Sequence, residues 1–188
     1  MRIRGILAAA LALLGAGCSS VVRRETPQKV NFAQIATVGT VAATEALLDF
    51  RGTRLQSVEG TWKEHAFAAE VVLKGDGESF TAVFLAPQMR LATITLTRPH
   101  ALVYERAPAI PQMFQPEYAI FDLAVINLDF EALRRALAPE LRVEERGAKR
   151  RVCAAADGRL IAEMETRADG ARVFRNEVYG YEWVLRDM

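Results

Sequence analysis

The chain has 188 residues and a formal net charge of +1, with 51% hydrophobic and 25% charged residues. That length is the scale of one domain and that balance is typical of a folded globular protein. With only 12 Gly and 7 Pro, collagen-like repetition and wholesale disorder are excluded. The near-neutral charge argues against nucleic-acid binding, which needs a basic excess on one face.

Residues 1–17, MRIRGILAAALALLGAG, have Arg2 and Arg4 at the start and then an uncharged Leu/Ala-rich stretch ending in small residues. This is the form of a secretory signal peptide, too short to remain as a membrane-spanning helix. Gly15-Ala16-Gly17-Cys18 resembles a bacterial lipobox, making Cys18 the expected lipidation site. Each acyl methylene buried in a bilayer is worth about 0.8 kcal/mol, so two or more chains would anchor the protein stably. Ser19, in place of Asp, follows the cysteine, the pattern expected for outer-membrane sorting with the domain facing the periplasm. Acylation of Cys18 leaves Cys153 without a disulfide partner, so Cys153 reads as a small buried hydrophobe. Residues 18–31 contain Pro27 and polar neighbours and read as a lipidated tether, able to extend roughly 45 Å.

The folded domain is expected over residues 32–188. The pattern predicts a helix from about Thr40 to Asp49, with Gly39 interrupting the Ala-rich run before it. From Gln56 the apolar period is two. Phe67, Ala69, Val71 and Leu73 alternate with polar or small neighbours; Gly75-Asp76-Gly77 turns the chain; Phe80, Ala82 and Phe84 continue. Ala92-Thr93-Ile94-Thr95-Leu96-Thr97 is apolar on one face and threonine on the other, and Ala101 to Arg106 is a further strand. Pro108, Pro111 and Pro116 make residues 107–116 a connection. A short helix follows around Tyr118–Ile126, and Asp129 caps a second that runs to Pro139. Strands resume at Leu141–Glu145, Arg150–Ala154, Arg159–Thr166, Arg172–Tyr179 and Tyr181–Leu185, with hairpin signals at Asp157-Gly158 and Asp169-Gly170. The fold class expected is α+β: a single curved antiparallel sheet, an incomplete barrel, with helices covering its concave face.

Catalytic chemistry is hard to find. His65 and His100 have no Cys or carboxylate at ligand spacing, so no metal site is expected. No serine sits in a Gly-x-Ser-x-Gly setting, and the glycines fall at turns rather than in a phosphate loop. Glu163 and Glu165 share a strand face opposite Ala162 and Met164, towards solvent, so they read as a solvated face rather than an acid/base pair. The run Glu144-Glu145-Arg146-Gly147-Ala148-Lys149-Arg150-Arg151 reads as a solvated hairpin tip. The chain is therefore not expected to be an enzyme or to carry a cofactor.

Several short stretches carry a resemblance: Phe84-Leu85-Ala86-Pro87 with Arg90-Leu91, Phe121-Asp122-Leu123 leading to Phe130-Glu131-Ala132-Leu133, and Asn176 with Gly180-Tyr181-Glu182-Trp183. With the lipobox and the order meander, helical insertion, meander, they make the chain resemble the LolA/LolB-like lipoprotein carriers of Gram-negative bacteria. It resembles more closely a family of outer-membrane lipoproteins of unknown function, often encoded among aryl polyene biosynthesis genes. The chain departs from that family in carrying Gln88-Met89 in a hairpin where glycine is usual. The resemblance implies a LolA/LolB-like half-barrel with a lipid-accepting cavity, a lipid or lipoprotein ligand, and a periplasmic carrier protein as partner. On that reading Phe67, Phe84, Ile94, Leu96, Phe121, Phe130, Met164 and Trp183 line the cavity between sheet and helices. The same residues can equally be ordinary core, and the chain then a structural or assembly lipoprotein acting through protein contacts.

Overall fold

The computed structural model describes residues 40–62, 65–98, 101–108, 116–137 and 139–188. The signal sequence, Cys18, the tether, Gly39, His100 and Pro111 lie outside the described residues. The element order is α1 (Thr40–Leu48), β1 (Arg51–Trp62), β2 (His65–Asp76), β3 (Ser79–Ala86), β4 (Met89–Thr97) and β5 (Ala101–Arg106). Then come α2 (Pro116–Asn127), α3 (Phe130–Ala136), β6 (Leu141–Arg146), β7 (Lys149–Ala154), β8 (Leu160–Thr166), β9 (Arg172–Asn176) and β10 (Tyr181–Asp187).

The strands form one open antiparallel sheet of 10 strands in the order β5-β4-β3-β2-β1-β10-β9-β8-β7-β6. Each half is a meander, because every turn is short enough to return the chain to its neighbour. The halves join where β1 pairs β10, from Gln56↔Asp187 to Trp62↔Tyr181. Turn chemistry sets the registers. Asp76 accepts from the backbone N–H of Glu78 (2.9 Å) and Ser79 (2.7 Å), and these donors hold its carboxyl below the ordinary carboxylate value. Asp157 and Asp169 accept in the same way from Arg159 and Ala171, each followed by a glycine at positive φ. Gln88 takes φ 68° in the β3–β4 hairpin, the left-handed conformation that glycine adopts at less cost.

Two boundaries and one side-chain placement differ from the sequence pattern. β1 begins at Arg51 rather than Gln56, because the polar run Arg51–Arg54 is held by pairing with Asp76–Leu73 of β2, whatever its own apolar pattern. β9 stops at Asn176 rather than Tyr179, because the Asn176 side-chain oxygen accepts from the N–H of Val178 and of Tyr179 (both 3.1 Å) and turns the chain. The third concerns Arg150, expected at a solvated tip. It is buried, with Nη1 donating to the carbonyls of Val125 (3.0 Å) and Leu128 (2.6 Å). Strand alternation turns Arg150 inward, where the carbonyls at the end of α2 lack intrahelical donors and attract a cation. Glu145 offsets its charge at 3.1 Å.

The helices cover one face of the sheet. α1 packs on α2, α3 and strands β2 to β4, α2 reaches β9, and α3 reaches β6. Ala119 through Ile126 of α2 are all buried, which is why this stretch is apolar on every side except at Asp122. Burial of residues such as Ile120 and Leu123 is worth about 1.5–3 kcal/mol each. On the sheet, Phe80↔Leu96, Ala82↔Ile94 and Phe84↔Ala92 are cross-strand pairs whose members are all buried. α3 starts at Asp129, whose side chain accepts from Ala132 N at 2.8 Å, as its sequence predicts. Cys153 is buried, as a small hydrophobe should be.

Candidate functional site

The registers line up one inward-facing row across five strands: Met164 (β8) opposite Phe174 (β9), Phe174 opposite Trp183 (β10), Trp183 opposite Gly60 (β1), and Gly60 opposite Phe67 (β2). Gly60 is the hinge of this row. A Cβ there would overlap the Phe67 ring, so the missing side chain is what lets Phe67 lie across β1 towards Trp183. The Phe67 and Trp183 rings meet edge to face at 6.5 Å, and Phe174 meets Trp183 at 5.9 Å. Trp183 is only 6% exposed, whereas Phe67 is 40% exposed. Phe67 lies past Glu70, the last residue of β2 paired with β3, so among the described residues no neighbouring strand on that side covers it. An open depression of about 560 Å³ lies on the other face of these strands: Glu59, Thr61, Ala66, Ala68, Glu182 and Val184 in its lining alternate with Gly60, Phe67 and Trp183 of the inward row. That volume is within the range of small-molecule sites.

From Trp183 the aromatics continue along β10 and into the turn before it. Tyr181 stacks on Trp183 at 5.5 Å, Tyr179 lies parallel to Tyr181 at 6.4 Å, and Tyr118 of α2 meets Tyr179 at 4.0 Å. Behind this ladder is a fully buried carboxylate. Asp122, in the middle of α2, accepts from Tyr181 Oη and from Asn176 Nδ2 (3.1 Å), and Asn176 Nδ2 also reaches Tyr181 Oη at 3.2 Å. Burial raises the Asp122 carboxyl to about 7, against the opposing pull of the hydrogen bonds from Tyr181 and Asn176. Burial first, then the neighbouring Asp122 charge, pushes the Tyr181 hydroxyl above its ordinary value. Burial and the hydrogen bond with Tyr118 do the same at Tyr179. Asp122 thus fastens the central helix to β9 and β10 beneath the aromatic ladder.

A model of the family described as "Protein of unknown function (DUF3261)" matches residues 53–188, an interval that holds Gly60, Phe67, Asp122, Asn176, Tyr181 and Trp183. The chain belongs to the DUF3261 family. No curated protein matches it. Among solved structures it is similar to a LolA superfamily protein of Nitrosomonas europaea, at 9% identity and a TM-score of 0.34, over 80% of this chain and 92% of that one. Backbone agreement at that level is too loose to argue from.

Within this DUF3261 domain the sequence-predicted cavity residues separate into two groups. Ile94 and Leu96 have no exposed surface, and Phe84, Phe121 and Met164 are buried. Phe130, the first residue of α3, is half-buried. Phe67 and Trp183 touch each other, and of the eight only Phe67 is open to solvent. Residue patterning alone did not single out Asp122, Asn176, Tyr179 or Tyr118. A signal for two of them was present: Asp122 and Asn176 belong to the stretches that carried the resemblance, and Asp122 also interrupts an otherwise apolar helix.

On the opposite face, Glu163 and Glu165 are anchors of an ion-pair ladder. The Glu163 side chain is 13% exposed, with Arg151 at 3.2 Å, Arg175 at 3.5 Å and Lys149 at 3.8 Å. Lys149 also reaches Glu165 (3.4 Å), and Arg175 reaches Glu182 (2.7 Å). Among the described residues no cluster of His, Cys, Asp and Glu could hold a metal ion, and no helix is long and apolar enough to cross a membrane.

Proposed function

We propose that this protein is a non-enzymatic, lipid-anchored binding module that holds a hydrophobic ligand, such as an acyl or polyene chain, at the Phe67 end of the aromatic row. Cys18 is the anchor, the outer membrane the location, and the periplasm the side on which the domain works with a carrier protein as partner. The observation that carries the reading is Phe67, an exposed aromatic side chain in edge contact with a buried Trp183, beyond the last residue of β2 that pairs with β3. An apolar chain laid against such a surface gains about 0.8 kcal/mol per methylene taken from water. Ile94 and Leu96 have no exposed surface, which supports placing the ligand at the Phe67 end rather than against them.

The test is native mass spectrometry of the protein extracted from membranes, with a fluorescence titration of the neutral probe N-phenyl-1-naphthylamine. The expected result is a co-purified lipid or saturable probe binding that Phe67→Ala abolishes. Failure to find either refutes the site. Anchoring is tested separately: Cys18→Ser should abolish incorporation of labelled palmitate and release the protein from the outer-membrane fraction. One observation favours a second reading, an assembly lipoprotein with a filled core: α2 is buried on every side. That reading predicts no ligand and a protein partner recovered by crosslinking.

A further inference from the structure

β6 is one of the two edges of the open sheet, and among the described residues no other strand meets its free side. It pairs β7 through a tight turn at Gly147-Ala148, with Arg146 opposite Lys149, and the Glu140 carbonyl accepts from the Ala155 N–H at 2.8 Å. The even-numbered residues are therefore those whose backbone bonds β7. Alternation turns the N–H and C=O groups of Leu141, Val143 and Glu145 outward, a ready template for another strand.

The side chains say which strand. On the outer face of this edge the charges alternate in sign: Glu140 just before the strand, then Arg142, Glu144 and Arg146. Arg142 Nε lies 3.4 Å and Arg146 Nη2 4.0 Å from the Glu144 carboxylate. On the inner face are Leu141, Val143 and Glu145, the last turned to Arg150. Charge on a sheet edge ordinarily wards off a second strand. Alternating charge does so in neighbouring registers and permits one. When two copies lie antiparallel about Val143, Arg142 of each falls opposite Glu144 of the other, and Glu140 opposite Arg146. Sliding one copy by two residues, the smallest shift that keeps like faces together, sets Arg142 against Arg142 or Glu144 against Glu144.

We propose that β6 is a self-association edge: two copies of this chain pair antiparallel about Val143 and join their sheets into one. Val143 then forms a hydrogen-bonded pair with its own counterpart, and Leu141 with Glu145. Arg142 and Glu144 meet at the non-hydrogen-bonded position, where facing side chains are closest. The contact uses the same residues on both copies, so it closes at the dimer. The other edge strand, β5, has the sequence Ala-Leu-Val-Tyr-Glu-Arg and lacks this alternation. Phe67 and Trp183 take no part, so the pairing is independent of the ligand site above.

The experiment is sedimentation velocity of the full chain in a density-matched detergent. One strand pair buries little surface, so the protein mass should double between about 1 and 100 µM, around a Kd on the order of 10 µM. Arg142→Glu and Glu144→Arg each set like charges across the two-fold axis twice and should weaken association about tenfold or more. An equimolar mixture of these two variants restores opposite charges at both positions and should dimerise like the wild type, which also shows that both variants fold. Four results overturn the pairing: a wild type that stays a single chain at about 100 µM, dimers that survive in either variant alone, a mixture that fails to associate, or masses that grow beyond two chains, as head-to-tail pairing of β5 with β6 gives.

Discussion

Replacing Asp122 with Asn keeps the shape of the side chain and removes its titration, so the pH dependence of stability isolates it. The folded chain holds the Asp122 proton up to about pH 7, while the unfolded chain releases it near the ordinary value of 3.8. Between those values the folded state binds more protons than the unfolded state, and stability falls as pH rises. The contribution is fully present below the unfolded value and is lost as pH rises through the folded one. At about 1.4 kcal/mol for each tenfold change in proton affinity, the whole span is worth about 4 kcal/mol. Burial is complete, so solvent screening takes little of this away. The assay is urea unfolding followed by tryptophan fluorescence at a series of pH values from 4 to 8, on wild type and Asp122→Asn. The stability of the Asn variant relative to wild type should climb by about 4 kcal/mol across that range. Parallel curves for the two proteins would refute the reasoning and mean that Asp122 is ionised at ordinary cost in the folded state.

Three other perturbations follow from the geometry. Phe67→Ala should cost less than about 1 kcal/mol of stability, since the ring is partly solvated, but abolish probe binding, whereas Ile94→Ala should cost about 2–5 kcal/mol with probe affinity unchanged; chemical denaturation with probe titration reads both. Gly60→Val forces the Phe67 ring out of the row and crowds the Glu182 carbonyl, and should destabilise by about 1–3 kcal/mol with loss of the ring-current shifts that Trp183 imposes on Phe67 in NMR spectra. Arg150→Met leaves the Val125 and Leu128 carbonyls without their donor and should cost about 2–3 kcal/mol by urea unfolding, whereas a truly solvated tip residue would change stability by less than about 0.5 kcal/mol.

Local pattern was enough for much of the fold. The alternation in Ala92–Thr97 and the Asp-Gly pairs at 157 and 169 reflect forces acting over a few residues, and the strands and hairpins stand where they point. What local pattern could not carry was anything decided across the sheet. β1 owes its first residues to pairing with β2, and Arg150 faces inward because the end of α2 happens to lie there. The site shows the same division. Apolar strand residues were legible as inward-facing, but which were sealed and which were open depends on where β3 stops against β2 and on Gly60 leaving room for a ring. Asp122 was visible as a charge in an apolar helix. Its partners lie 54 and 59 residues away in sequence, on strands whose placement only the fold determines.

The claim on which the account turns is that a hydrophobic ligand sits at the open end of the aromatic row. Photocrosslinking with a diazirine-bearing acyl chain, followed by peptide mapping of the labelled protein, measures that placement directly. The account predicts labels on the peptides that contain Phe67 and Tyr181–Trp183. Labels confined to the strand carrying Ile94 and Leu96, or an absence of labelling at ligand concentrations that saturate other lipid-binding proteins, would contradict it.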